Sequence, residues 1–202
     1  MKHCGFMVFV SVLLLLGFLP EQQLQHLELH TYEHFSYRWL SAHFIHLGLQ
    51  HAVMNVAGAI VVWLLCVSIV PTGLLLVMLL LLPVGVSLGL VMTDSGMSYR
   101  GFSGAIEGFL VVGIIWHWWL SRRFSLLLGA LVAGKLIIEQ MPSFDNTYLL
   151  DSIGGLVAVD AHLYGVGGGL FLALVYLVLA YCNVPCFCAP WRMPWARSRH
   201  RS

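Results

Sequence analysis

Between Thr72 and Met92 the chain carries no charged residue. A run of that length matches the roughly 20 apolar residues a helix needs to cross the hydrocarbon core of a bilayer. Composition extends the constraint to the whole chain. Of 202 residues, 59% are hydrophobic and only 9% are charged, with a mean hydropathy of +0.87. A soluble domain carries about 25% charged residues, and its surface cannot be coated with so few. The same numbers exclude a disordered chain. A nucleic-acid binder needs a large basic excess, whereas the net charge here is +1. The composition therefore predicts a polytopic membrane protein, all-α in class and organised as one domain.

Six apolar stretches read as spans: about 5–19, 47–70, 72–92, 103–120, 124–138 and 161–181. The first resembles a signal peptide, with Lys2 before an apolar run. Phe18-Leu19-Pro20-Glu21 lacks the small-residue cleavage pattern, so it is expected to be a retained span. Only Pro71 separates the second and third, which requires an antiparallel hairpin. An even number of spans puts both ends on one side. That side holds Lys2, Arg122, Arg123, Arg192, Arg197, Arg199 and Arg201, while Arg38 and Arg100 face the other. The excess of Lys and Arg on cytoplasmic loops then makes both termini cytoplasmic, with 182–202 a basic cytoplasmic tail. Most acids, among them Glu21, Glu28, Glu139 and Asp160, fall on the outer side.

The five cysteines, Cys4, Cys66, Cys182, Cys186 and Cys188, fall near the cytoplasmic face, where thiols stay reduced. The last three have no recognised zinc spacing and no evident fourth ligand, so neither a metal nor another cofactor is expected. Residues 21–46 form a long outer segment. Tyr32, Phe35, Tyr37, Trp39 and Phe44 there suit the membrane–water interface.

Polar groups inside a membrane are costly and are functional candidates by default. Here they share a depth. His46, His51 and Asn55 open the second span, Ser103 opens the fourth and His162 opens the sixth. A hydroxyl, an imidazole and amide or imidazole donors are the parts of an acyl-transfer site: nucleophile, base and oxyanion support. Each has a plainer reading alone. Ser103 suits a helix cap, His51 and Asn55 an interhelical hydrogen-bond pair, and His162 an interface histidine. Gly104 and Gly108 lie four apart on the fourth span, as do Gly165 and Gly169 on the sixth. Such faces allow close helix approach, with or without chemistry. If they meet, Ser103 and His162 come within reach of each other. Lys135 and Glu139, one turn apart on the fifth span, suit a structural or interfacial role, or a contact to substrate or lipid.

These residues carry a family resemblance. The stretch from Trp39 to Asn55, WLSAHFIHLGLQHAVMN, resembles the second-span motif of rhomboid intramembrane serine proteases. Gly101-Phe102-Ser103-Gly104 resembles their GxSG nucleophile motif. Ala161-His162 with Gly165 and Gly169 resembles their AHxxGxxxG motif. Tyr99-Arg100 before the serine, and Gly134-Lys135-Leu136-Ile137-Ile138-Glu139-Gln140, are similar to the bacterial rhombosortase branch. The resemblance covers about residues 36–180.

It implies a six-transmembrane-helix bundle and a Ser103–His162 dyad. The oxyanion is then held by the Ser103 N–H with His51 and Asn55, inside a frame set by Gly101 and Gly104. It also implies membrane-anchored protein substrates with a Gly-Gly motif, an apolar helix and basic residues, cut near the outer face of a bacterial inner membrane. No nucleic-acid partner is implied. Four residues past the serine the branch often has histidine and rhomboids an aromatic residue; here Glu107 stands there. A carboxylate one turn below Ser103 is expected to orient His162, or else to sit protonated in a polar pocket. Two other readings share the sequence: a transpeptidase that passes the acyl group to an amine, and an inactive rhomboid-like protein that binds membrane helices. A transporter is the poorest fit, since Glu107 is the one acid well inside a span.

Overall fold

The computed structural model describes residues 2–32, 35–93 and 96–182. The tail beyond residue 182, with Cys186 and Cys188, lies outside the described residues. The described chain is mostly helical: α1 is Lys2–Leu16, α2 Glu21–Leu27, α3 Arg38–Ser41, α4 Leu49–Cys66 and α5 Thr72–Thr93. Then follow α6 Ser103–His117, α7 Arg122–Glu139, α8 Leu150–Ile153 and α9 Asp160–Tyr181. Two short strands, β1 (Leu29–His30) and β2 (Ser98–Tyr99), pair antiparallel.

All six apolar stretches are helices. By length and composition α4, α5 and α9 are long and apolar enough to cross a membrane. α1 and α6 are shorter apolar helices. α7 has the length, with 18 residues, but carries Arg122, Arg123, Lys135 and Glu139. Local signals explain the boundaries. The Ser121 hydroxyl accepts from the Phe124 N–H and caps α7. Pro71 precedes α5, its carbonyl accepting from Leu75.

The expected interfacial segment at 21–46 is built rather than loose. It contains α2, β1 and α3, folded back so that the Ser41 hydroxyl donates to the Leu27 carbonyl and the Tyr37 hydroxyl to the His26 carbonyl. Tyr32, Phe35 and Tyr37 remain exposed, while Trp39 is buried and Phe44 half-buried.

The tightest packing is between α6 and α9. A Cβ on Gly104 would lie 2.6 Å from the Ala161 carbonyl oxygen, and one on Gly108 2.7 Å from that of Gly165. A Cβ on Gly165 would overlap the Gly104 carbonyl, and one on Gly169 the Gly108 carbonyl. The contacts climb both helices in step, so α6 and α9 run parallel with backbone against backbone. Small residues are what permit this, and Cα–H···O contacts accompany it. On the other side of α9, the Tyr164 ring fills the space left by Gly89 of α5.

The apolar core lies between α4, α5, α6 and α9, around Met78, Leu82, Val112 and Trp116. α1 packs on α4, with Leu13 fully buried and Phe6 stacked on Trp63 at 4.5 Å. It thus packs as part of the bundle. α7 is peripheral: it buries Ser125 and Val132 but exposes Leu126, Leu127, Leu131, Ile137 and Ile138.

A matched pair of substitutions tests the seam. Gly165→Ala and Gly167→Ala add the same methyl to the same helix, and each gains about 0.5–1 kcal/mol of helix propensity. Gly167 has open space around it, whereas Gly165 faces a backbone oxygen. In thermal unfolding in detergent micelles, Gly165→Ala should lose about 3 kcal/mol and Gly167→Ala should match or exceed wild type.

Candidate active site

Ser103 is the first residue of α6, and the chain entering it is held from several directions. β2 pairs with β1, Leu29 opposite Tyr99. The Tyr99 hydroxyl donates to the Gly101 carbonyl at 2.6 Å, and the Gly101 N–H to the Ala42 carbonyl at 3.0 Å. Gly101 has φ +133°, a conformation closed to most side chains, and a Cβ there would lie 2.9 Å from the His51 ring. Arg100 donates from Nε to Glu28 Oε2 at 2.7 Å and from its two terminal nitrogens to both oxygens of Glu21, at 2.7 and 3.0 Å. Hydrogen bonding to Arg100 holds the Glu21 carboxyl below its ordinary range, and the same bonds raise the guanidinium.

Below this loop the Ser103 hydroxyl lies 3.1 Å from His162 Nε2 on α9. His162 is buried and its ring is engaged on both edges. Its Nδ1 lies 3.0 Å from Glu139 Oε2, at the end of α7. Lys135 Nζ stands 2.8 Å from Glu107 Oε1, 3.0 Å from Glu139 Oε1 and 3.2 Å from His162 Nδ1. The starts of α6 and α9 and the end of α7 therefore meet at one place. His51, on the first turn of α4, joins them beside Gly101.

His51 Nδ1 faces the Leu47 N–H at 3.4 Å, which assigns the ring proton to Nε2. That nitrogen is the one a Gly101 Cβ would meet at 3.3 Å, on the side of the serine loop. The first N–H groups of α6, beginning at Ser103, have no partner within their helix. They sit at the positive end of its dipole, where negative charge is stabilised. Asn55 sends its amide back to the His51 carbonyl at 3.0 Å. His46 stacks edge-on against His51 at 5.3 Å. A cavity of about 10 Å³ opens beside Ser103, lined by His51, Tyr99, Arg100 and residues 156–158.

The structure brings Ser103, His162 and His51 to one site. Glu107 does not take the orienting place expected for it. Its Oε1 accepts from Lys135 Nζ at 2.8 Å, and His162 Nδ1 faces Glu139 of α7. Glu139 occupies that place. Its i, i+4 spacing from Lys135 was visible in the sequence, but nothing local tied either residue to His162. A second unforeseen network fixes the segment before α4: His43 Nε2 lies 3.0 Å from the Ser87 hydroxyl, which donates to the Trp39 carbonyl at 2.8 Å. Among the described residues no group of three or more His, Cys, Asp or Glu side chains is arranged to hold a metal ion.

Comparison with protein-family models, with curated proteins and with solved structures finds no match for this chain.

Two stability measurements follow. Removing one partner of a buried ion pair strands the other, so Arg100→Gln should cost about 3 kcal/mol. Glu21→Gln, at an exposed carboxylate, should cost under about 1 kcal/mol. Burial depresses His43 and His46 from 6.5 to about 3. Between those values the unfolded chain binds protons that the folded rings refuse, so stability falls as pH is lowered through that window. The Glu21 contribution is present above about 4.5 and disappears below it. Melting temperature in detergent should thus decline from about pH 6.5 downward and never rise on acidification.

Proposed function

We propose that the chain is an intramembrane serine endopeptidase of rhomboid type, in the rhombosortase branch, cutting membrane-tethered proteins near the outer face. The observation that carries the reading is the 3.1 Å approach of the Ser103 hydroxyl to His162 Nε2 across two helices. The motif order, the N–H groups at the start of α6 that have no partner within their helix and the His51 donor support it. On this reading the six apolar helices all cross a bacterial inner membrane, and both termini are cytoplasmic. The site opens to the periplasm, where water reaches it.

Ser103 Oγ attacks the scissile carbonyl carbon as its proton passes to His162 Nε2. The carbonyl oxygen becomes an oxyanion, held by the N–H groups at the start of α6 and by His51 Nε2. The C–N bond then breaks, and the proton on Nε2 goes to the leaving amine nitrogen. Water, deprotonated by the same nitrogen, releases the new carboxylate and restores the serine.

The test is processing of a membrane-tethered substrate ending in Gly-Gly, an apolar helix and basic residues. Wild type should cleave it, while Ser103→Ala and His162→Ala should not. His51→Ala should lose about 10²–10³ in kcat, the usual effect of losing one oxyanion donor. Equal processing by wild type and Ser103→Ala overturns the reading. Mass spectrometry of the new C-terminus distinguishes a free carboxylate from transfer to an amine.

A further inference from the structure

We infer that Glu139 is a positioning residue that fixes the tautomer of His162 and makes the pair a Ser103–His162–Glu139 triad. The inference rests on the protease reading above and goes beyond the dyad on which that reading depends.

His162 Nδ1 faces two groups that ask opposite things of it. Glu139 Oε2 at 3.0 Å can only accept, so it requires a proton on Nδ1. Lys135 Nζ at 3.2 Å can only donate, so it requires a lone pair there. The two tautomers are not equivalent for chemistry. With the proton on Nδ1, Nε2 presents a lone pair to the Ser103 hydroxyl and can take its proton. With the proton on Nε2, the ring donates to Ser103 and cannot act as base. Lys135 already has three closer acceptor atoms, Glu107 Oε1 at 2.8 Å and Glu139 Oε1 and Oε2 at 3.0 and 3.1 Å. Those carboxylates draw its N–H groups away from the imidazole and leave Nδ1 to Glu139.

Charge points the same way. The groups around His162 come from three other helices: His51 on α4, Glu107 on α6, and Lys135 with Glu139 on α7. In formal charges, two carboxylates and one ammonium leave one negative charge uncompensated while the imidazoles are neutral. When His162 accepts the serine proton, the cluster becomes neutral. The imidazolium of the transition state is thereby favoured in a partly buried site, where charge interactions are stronger than in water. A carboxylate that served merely to tether α7 would need no contact with Nδ1.

The test has two independent parts, both on the full chain in detergent micelles. In ¹⁵N-histidine spectra of wild type, the His162 signals, assigned by their loss in His162→Asn, should report a proton on Nδ1. Glu139→Gln should move that proton to Nε2. In substrate processing, Glu139→Gln should lower kcat by about 10²–10⁴-fold, the scale seen when a triad carboxylate is neutralised. Its KM should be little changed, and Glu139→Asp should recover part of the rate. A wild-type His162 protonated on Nε2 overturns the inference, and that measurement does not require any Glu139 variant to fold. So does a Glu139→Gln enzyme within about threefold of wild-type kcat. Failure of the protease reading looks different: Ser103→Ala then processes substrate as wild type does, whichever nitrogen carries the proton.

Discussion

The backbone-to-backbone contact of α6 with α9 is the constraint from which the site follows. Side chains at an ordinary helix interface can repack and let helices drift by an ångström. Here the carbonyls of Gly104 and Gly108 lie against Gly165 and Gly169, with no side chain between. The spacing is therefore set by hard contact. At the head of that seam, the same two helices carry Ser103, next to Gly104, and His162, next to Ala161. The hydrogen-bond approach of Ser103 to His162 is thus a geometric result of the glycine register, on rigid elements rather than on loops.

Around this seam the other elements act as braces. The segment before α4 supplies the Ala42 carbonyl to Gly101, and its own His43 leans on Ser87 of α5. Arg100, beside the glycine turn, reaches two carboxylates in the segment after α1. α7 is held differently. Most of its apolar side chains face outward, and besides the buried Val132 and the Phe124 ring against His117 it meets the body through the Ser125 hydroxyl on the Ile114 carbonyl and the ionic cluster at its far end. That helix contributes little to the apolar core, yet it ends on the imidazole.

Much of this was legible in the sequence, for physical reasons that are easy to state. Apolar length identifies helices reliably when a bilayer is the solvent, so all six stretches are helices with ends near those expected. Glycines four apart on two of them marked the close pair, and the residues at the head of each glycine face are the ones that meet. What stayed hidden depends on rotation and neighbour choice. Glu107 lies one turn from Ser103, which made it a natural partner for His162. Which edge of the ring faces which helix is a property of the assembled bundle. Glu139 was counted among the acids of the outer side because no local pattern says where the end of α7 lies. The Arg100 clamp joins positions 72 and 79 residues apart, a pairing no short-range motif encodes. Three of the six helices meet the membrane-length criterion, because α1 and α6 are short and α7 is charged.

The sequence separation of the central pair has a consequence for biosynthesis. Ser103 leaves the ribosome 59 residues before His162. The imidazole nitrogen beside it arrives with α9, and Gly165 and Gly169, which press α9 onto α6, arrive with it. A nascent polypeptide thus carries Ser103 without its imidazole partner until α9 has been made and docks against α6.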